Sequence, residues 1–385
     1  MPTLDSKRKR KNQEGAAAVR AGARLTRVRP TRKKKEKAAS SEAPGEATAM
    51  KQPVSYLVVE HGVDDPTHSV LKVAGAGAHP LLYGKRGMSF AAVGTRHGPR
   101  IVGVGPDTLI YDPKTSTEVL GPRLFRDMLH PVLIPHGSKL YALSRCPAVV
   151  GSVDFMPWFF SFDLNDYRDY RAGWLDLPPP PIFPCRINPL EYRNPPEVRV
   201  ASYAMVGSHI LLSVQKDKQD KGTCAFDVDT KSWEIVDDKN LPFTGQAVPL
   251  DGHRFVACSK ARDGAAAVYY MRVFRPEATS TGKMEMYITE LPVESKGIIV
   301  PGQFLCTMGT GGRFSSFDVR SIDPGTGEKL DKARIIYRSY SLVGGGDNAR
   351  TKSVVVVKQQ RKIYKLRDPY YHLAYPLPVV AGLTM

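Results

Sequence analysis

No apolar run in this 385-residue chain approaches the length a helix needs to cross a bilayer. Membrane-spanning helices are therefore excluded, and no membrane partner is expected. Cysteine is sparse. Cys146, Cys185, Cys224, Cys258 and Cys306 lie more than thirty residues apart. An odd, scattered set is not a disulfide framework, and no Cys-x-x-Cys pair offers a zinc site. No Asn-x-Ser/Thr sequon occurs either. The simple reading is a reducing compartment, nucleus and/or cytoplasm.

Chemistry-bearing motifs are also missing. There is no Gly-x-Ser-x-Gly elbow. Gly75-Ala76-Gly77 lacks the third glycine of a dinucleotide loop, and Gly325-Thr326-Gly327-Glu328-Lys329 fails the spacing of a phosphate loop. These segments, and Gly344-Gly345-Gly346-Asp347, read as turns or loops. Asp64-Asp65 and Asp237-Asp238 read as solvated turn acids. His130 and His136, six apart, are not a chelating pair, and the other seven histidines show no ligand spacing. No catalytic residue, metal or cofactor is expected.

Charge is present, but unevenly. Residues 1–51 hold 15 basic and 5 acidic side chains out of totals of 55 and 38. Two basic clusters dominate: Lys7-Arg8-Lys9-Arg10-Lys11, and Arg32-Lys33-Lys34-Lys35 followed by Glu36 and Lys37. Such a segment has too little apolar surface to offset the entropy of ordering, so residues 1–53 are predicted to be a disordered tail. Basic runs of this kind are read by nuclear import receptors or dock on phosphates. The segment between them holds four arginines and no aromatic, which leaves only weak, sequence-independent nucleic-acid contact. A solubilising tail and an organellar signal are the competing readings.

The rest of the chain is strand-like. Short Val/Ile/Tyr/Phe-rich runs such as Tyr56–Glu60, Arg100–Val104, His209–Val214 and Phe255–Ser259 alternate with Gly, Pro and Asp clusters. The only hint of helix is a short turn near Pro122–Leu129. A unit recurs: an aromatic, then Asp, a turn residue, a Trp or aliphatic, and a closing Pro. It appears around Tyr111-Asp112 with Pro122, Phe162-Asp163 with Trp174 and Pro178, and Phe226-Asp227 with Trp233 and Pro242. Asp112, Asp163 and Asp227 are expected to cap tight turns through backbone N–H groups two residues on. Trp174 and Trp233 are expected to bury their rings from the returning strand. Weaker copies surround Val268–Tyr270 and Ser316–Val319.

The block Gly222-Thr223-Cys224-Ala225-Phe226-Asp227-Val228-Asp229-Thr230-Lys231-Ser232-Trp233, followed by Leu241-Pro242-Phe243-Thr244-Gly245, resembles the kelch-like or galactose-oxidase-like β-propellers of plant, especially grass, families. The resemblance implies an all-β, kelch-like propeller. The spacing of the repeats suits six blades over residues 54–370, with a C-terminal extension at 371–385. Tyr56–Glu60 and Ser353–Leu366 are the expected partners in a ring-closing blade. The Gly-Gly doublet of kelch blades is missing from most copies, and residues 1–53 carry no F-box-like helical pattern.

The expected function is a non-enzymatic scaffold that binds another protein, with the basic tail directing it to the nucleus. Trp158, Phe159, Tyr167 and Tyr170, beside the Pro178–Pro181 run, are the candidate partner contacts. The alternatives are a galactose-oxidase-like or hydrolytic propeller enzyme, and non-specific nucleic-acid binding through the tail.

Overall fold

The computed structural model describes residues 23–28, 53–62, 67–73, 81–150, 154–156, 158–167, 173–184, 186, 188–191, 193–276, 282–295, 297–309, 311–322, 329–343, 355–368 and 372–385. These residues form an all-β protein of antiparallel sheets, with one short 3-10 turn at Pro189–Glu191. The arrangement is consistent with a β-propeller. Pro122–Leu129 forms bends rather than the expected helical turn, on the crossing between Thr117–Leu120 and Val132–His136.

Arrays of four strands follow one another along the chain. The second runs Ser89–Val93, Arg100–Val104, Thr108–Asp112, Thr117–Leu120, and the third Val132–His136, Lys139–Leu143, Phe159–Asp163, Leu175–Asp176. The fourth starts at Val198–Val206 and the fifth at Phe243–Asp251; their first strands pair in parallel, Ser202 against Gly245 and Tyr203 against Gln246. The sixth contains Phe304–Thr307, Arg313–Ser321, Lys332–Val343 and Val355–Arg367. The last two strands, at 12 and 13 residues, are far longer than the four to six the sequence pattern implied.

The first array is assembled from both ends of the chain. Val379–Thr384 pairs with Ser55–Glu60, which pairs with Thr67–Lys72 and then Leu81–Tyr83. Ser55 and Thr384 meet through their hydroxyls 329 positions apart in the chain. One expectation is corrected here. The strand that pairs with Ser55–Glu60 is Val379–Thr384 and not the expected Ser353–Leu366, of which the described part falls in Val355–Arg367 of the sixth array. Within the expected C-terminal extension, 371–385, lies this paired strand, whose Val379, Ala381 and Leu383 are buried. The reason is period-two alternation, which turns these apolar residues to one covered face.

A second correction concerns the tail. Arg24–Arg27 pairs with Arg367–Tyr364 on the outer edge of the sixth array. Ala23 and Leu25 are buried there against Tyr364 and Leu366. One well-placed Leu on a strand edge supplies the anchoring that composition alone denied to the segment. The rest of residues 1–53, both basic clusters included, lies outside the described residues apart from 28 and 53.

The first strands neighbour one another in cyclic order: Val379–Thr384, Ser89–Val93, Val132–His136, Val198–Val206, Phe243–Asp251, Phe304–Thr307, and back to Val379–Thr384. Between arrays lie apolar cores. One joins the third and fourth through Tyr141, Phe159, Phe226 and Trp233, with Phe159 and Phe226 edge-to-face at 5.0 Å. The repeat also latches one array to the next. Trp174 Nε1 donates to Pro122 O at 3.1 Å and to Thr108 Oγ1 at 3.0 Å, and Trp233 Nε1 donates to Pro178 O at 2.8 Å. In both cases the indole reaches back to the proline that ends the preceding unit. Proline cannot donate, but its carbonyl is free to accept.

These contacts carry graded expectations. Phe226→Ala should lower stability by about 4 kcal/mol, as for a large buried aromatic. Trp233→Phe, which keeps an aromatic ring but loses the pyrrole half of the indole and its hydrogen bond, should cost about 1–2 kcal/mol. Chemical denaturation of both variants checks the order; equal losses would contradict the latch. Leu25→Asp should free the Arg24–Arg27 strand and expose it to trypsin, with little change in the main unfolding transition.

Candidate functional site

Each turn aspartate of the repeat accepts from the backbone two residues on. Asp112 Oδ1 takes the Lys114 N–H at 2.8 Å, Asp163 Oδ1 the Asn165 N–H at 3.0 Å, and Asp227 Oδ1 the Asp229 N–H at 2.9 Å. A basic residue opening the second strand faces each one: Arg100 Nη2 is 3.0 Å from Asp112 Oδ2, Lys139 is in register with Asp163, and His209 Nε2 is 3.9 Å from Asp227 Oδ2. Burial would raise the Asp227 carboxyl, but the N–H groups of Asp229 and Thr230, with His209 nearby, outweigh it and hold it below the usual range. These groups shape the turns; nothing in their geometry suits catalysis.

The expected partner contacts are split by the fold. Phe159 is buried in the aromatic core between the third and fourth arrays, so it is corrected: it cannot serve as a surface anchor. Trp158 and Tyr167 are half-buried against the neighbouring core that holds Leu124 and Met128. Tyr170 lies outside the described residues, as do both basic clusters, Asp64-Asp65, Gly75–Gly77, Gly325–Glu328 and Gly344–Asp347. Exposed apolar side chains are spread over the described residues, Leu120, Leu190 and Ile298 among them, and the crossing between the second and third arrays carries two. Leu124 and Met128 face inward, while Phe125 is 87% and Leu129 67% exposed. Nothing in the sequence pattern separates these two pairs, because the crossing is neither helix nor strand.

Two further places concentrate polar groups. The first is a cavity of about 620 Å³ bounded by the six cyclically ordered strands. Arg145 and His136 are its basic lining residues, and no carboxylate is among its described lining. Burial lowers the His136 imidazole, with Asp229 opposing and Lys139 adding. No cluster of three His, Cys, Asp or Glu side chains suited to a metal ion exists among the described residues.

The second is a sealed cluster that sequence inspection missed. His61, His68, Ser69 and Asp368 are all fully buried. His61 Nε2 lies 3.0 Å from Ser69 Oγ, and His61 Nδ1 lies 2.6 Å from Asp368 Oδ2. The His61 ring thus bridges Ser69 and Asp368; with its proton on Nδ1 toward the carboxylate, Nε2 accepts from the serine. This is the connectivity of a nucleophile relay. Yet Ser69 has no exposed surface and is not part of the cavity lining. The cluster joins the ends of the described body, since Leu373 N donates to Leu330 O and Ala374 N to Glu60 O around it. No spacing rule could have paired residues 61 and 69 with residue 368.

His68 sits beside this relay, 5.0 Å from the Phe90 ring. Burial, helped by His61, pushes its imidazole down to about 4. It is uncharged at neutral pH, so its 3.9 Å approach to Glu60 is no ion pair there. Burial raises Glu60 as well, against Arg86, His130 and His61.

The described cysteines, Cys146, Cys224, Cys258 and Cys306, are free thiols. Burial pushes Cys306 up to about 12, and its Sγ donates to Gly382 O at 3.0 Å, joining the first strands of the sixth and first arrays.

The class defined by this geometry is an all-β, multi-sheet protein with a propeller-like arrangement of repeated arrays. The chain belongs to the family described as Protein of unknown function (DUF1668), whose model matches residues 20–364. No curated protein matches it.

The pH dependence of the sealed cluster is testable. An unfolded His68 takes up its proton near pH 6.5, whereas the folded one does so only near 4. Its contribution is therefore full above pH 6.5 and is lost as pH falls from 6.5 to 4, by about 3 kcal/mol. Glu60, raised in the fold, works in the opposite sense. His68→Leu should flatten the fall in melting temperature between pH 6.5 and 4; an unchanged slope would remove His68 as its cause.

Proposed function

We propose that this chain is a non-enzymatic protein-binding scaffold built on a six-bladed, kelch-like propeller, with the basic tail directing it to the nucleus. The cyclic order of the first strands and the repeated Asp–Trp–Pro unit support the propeller and its blade count. The single observation behind partner binding is the crossing Gly121–Pro131. It is seated on the core through Leu124 and Met128 and presents Phe125 and Leu129 to solvent. Large aromatic and aliphatic side chains in such a setting are what buried anchors of protein interfaces require. Trp158 and Tyr167 pack on the same underlying core and are the further contacts of this reading.

The test is quantitative affinity capture with the full chain. Phe125→Asp with Leu129→Asp should strip at least one partner that the wild-type chain retains, without changing the melting temperature. An unchanged set of captured proteins would overturn the assignment. For the tail, replacing Lys7–Lys11 and Arg32–Lys37 by neutral residues should abolish nuclear enrichment of a fluorescent fusion, and unaltered distribution would refute that half.

A hydrolytic reading has one observation in its favour, the Ser69–His61–Asp368 relay. Its burial argues against it. A fluorophosphonate probe should leave Ser69 unlabelled, and labelling that disappears in Ser69→Ala would reverse the preference.

A further inference from the structure

We infer that the cavity between the first strands is a receptor for a small oxyanion, held by Arg145. The cavity volume, about 620 Å³, is in the range of sites for small organic molecules. Its chemistry is lopsided. Arg145 enters it from the end of the Lys139–Leu143 strand, and its Nε–H is spent on the His130 carbonyl at 3.0 Å. That bond fixes the plane of the guanidinium and leaves the Nη edge to make further contacts. Burial raises the Tyr203 phenol, and the Arg145 guanidinium opposes the rise. Among the described residues Arg145 is given no carboxylate partner, and no carboxylate lines the cavity.

A guanidinium with no carboxylate beside it among the described residues, set in a concave site, creates a positive field there. The group that complements it is a carboxylate or phosphate, whose paired oxygens match the two-pronged donor. Neutral polar side chains share the lining. Gln246 is in register with Tyr203 and also lines the cavity, as does Thr244. The surrounding Met205, Val248 and Leu305 are apolar and would hold a short carbon skeleton.

The experiment uses the full chain at constant ionic strength. Inorganic phosphate and succinate are titrated by calorimetry and by melting temperature, with uncharged 1,4-butanediol as the control. At least one oxyanion should bind and raise the melting temperature in proportion to its concentration, as linkage requires, and the diol should not. A response to succinate alone assigns a carboxylate ligand; a response to phosphate alone assigns a phosphorylated one. Arg145→Gln should weaken binding at least tenfold, whereas Arg123→Gln, at an exposed arginine near Asp107 and Asp127, should not. Gln246→Glu places a carboxylate in the cavity and should weaken binding at least tenfold by repulsion, which keeps the test decisive if Arg145→Gln misfolds. Absence of oxyanion binding by the wild-type chain, or equal binding by Arg145→Gln and wild type, would overturn the inference. The Phe125 and Leu129 variants read a different surface, so either proposal can fail alone.

Discussion

The pairing of Val379–Thr384 with Ser55–Glu60 is the interaction on which the rest of this molecule depends. A set of sheets placed side by side has two open ends, and each end carries unpaired backbone donors and acceptors. Here the last strand of the chain supplies the first strand of the first array, so the two ends satisfy each other. The seam is reinforced by side-chain contacts. The Ser55 and Thr384 hydroxyls meet, Cys306 reaches Gly382, and the buried relay of Ser69, His61 and Asp368 ties the first array to the segment leaving the sixth. Buried polar groups are costly unless matched. Their concentration at the one place where distant chain segments must find each other suggests a role in fixing that register.

The same closure brings the cavity into being. Only when all the first strands stand around one space do Arg145 from the third array, Tyr203 from the fourth and Gln246 from the fifth share it. The repeat itself takes no part in this. Its Asp and Trp side chains work at the turns and between neighbouring arrays, where they set spacing and angle. The parts of the chain that differ from unit to unit are the inward ends of first strands and the crossings between arrays. It is there that the proposed binding surfaces fall.

Much of the fold was legible in the residues. Asp112, Asp163 and Asp227 declare turns because a short carboxylate before a reversal has backbone N–H groups within reach. Other parts misled. Phe159 lies in an apolar run that looked like a surface anchor, yet Phe159 and Phe160 enter cores on opposite faces of one strand. In stacked sheets both faces are covered, and a continuous apolar run is then the mark of burial rather than of a patch. The tail misled in the opposite sense. Its composition hid one leucine positioned to complete an edge.

The sequence by itself determined the all-β character, the turns and the recurring Asp–Trp–Pro unit, because these rest on contacts among residues close in the chain. Only the tertiary structure decided which strand closes on which, which of Leu124, Phe125, Met128 and Leu129 face outward, and which charges share a cavity. Those outcomes depend on pairings across hundreds of residues. A strand's local pattern says that it needs a partner, but not which partner it will have.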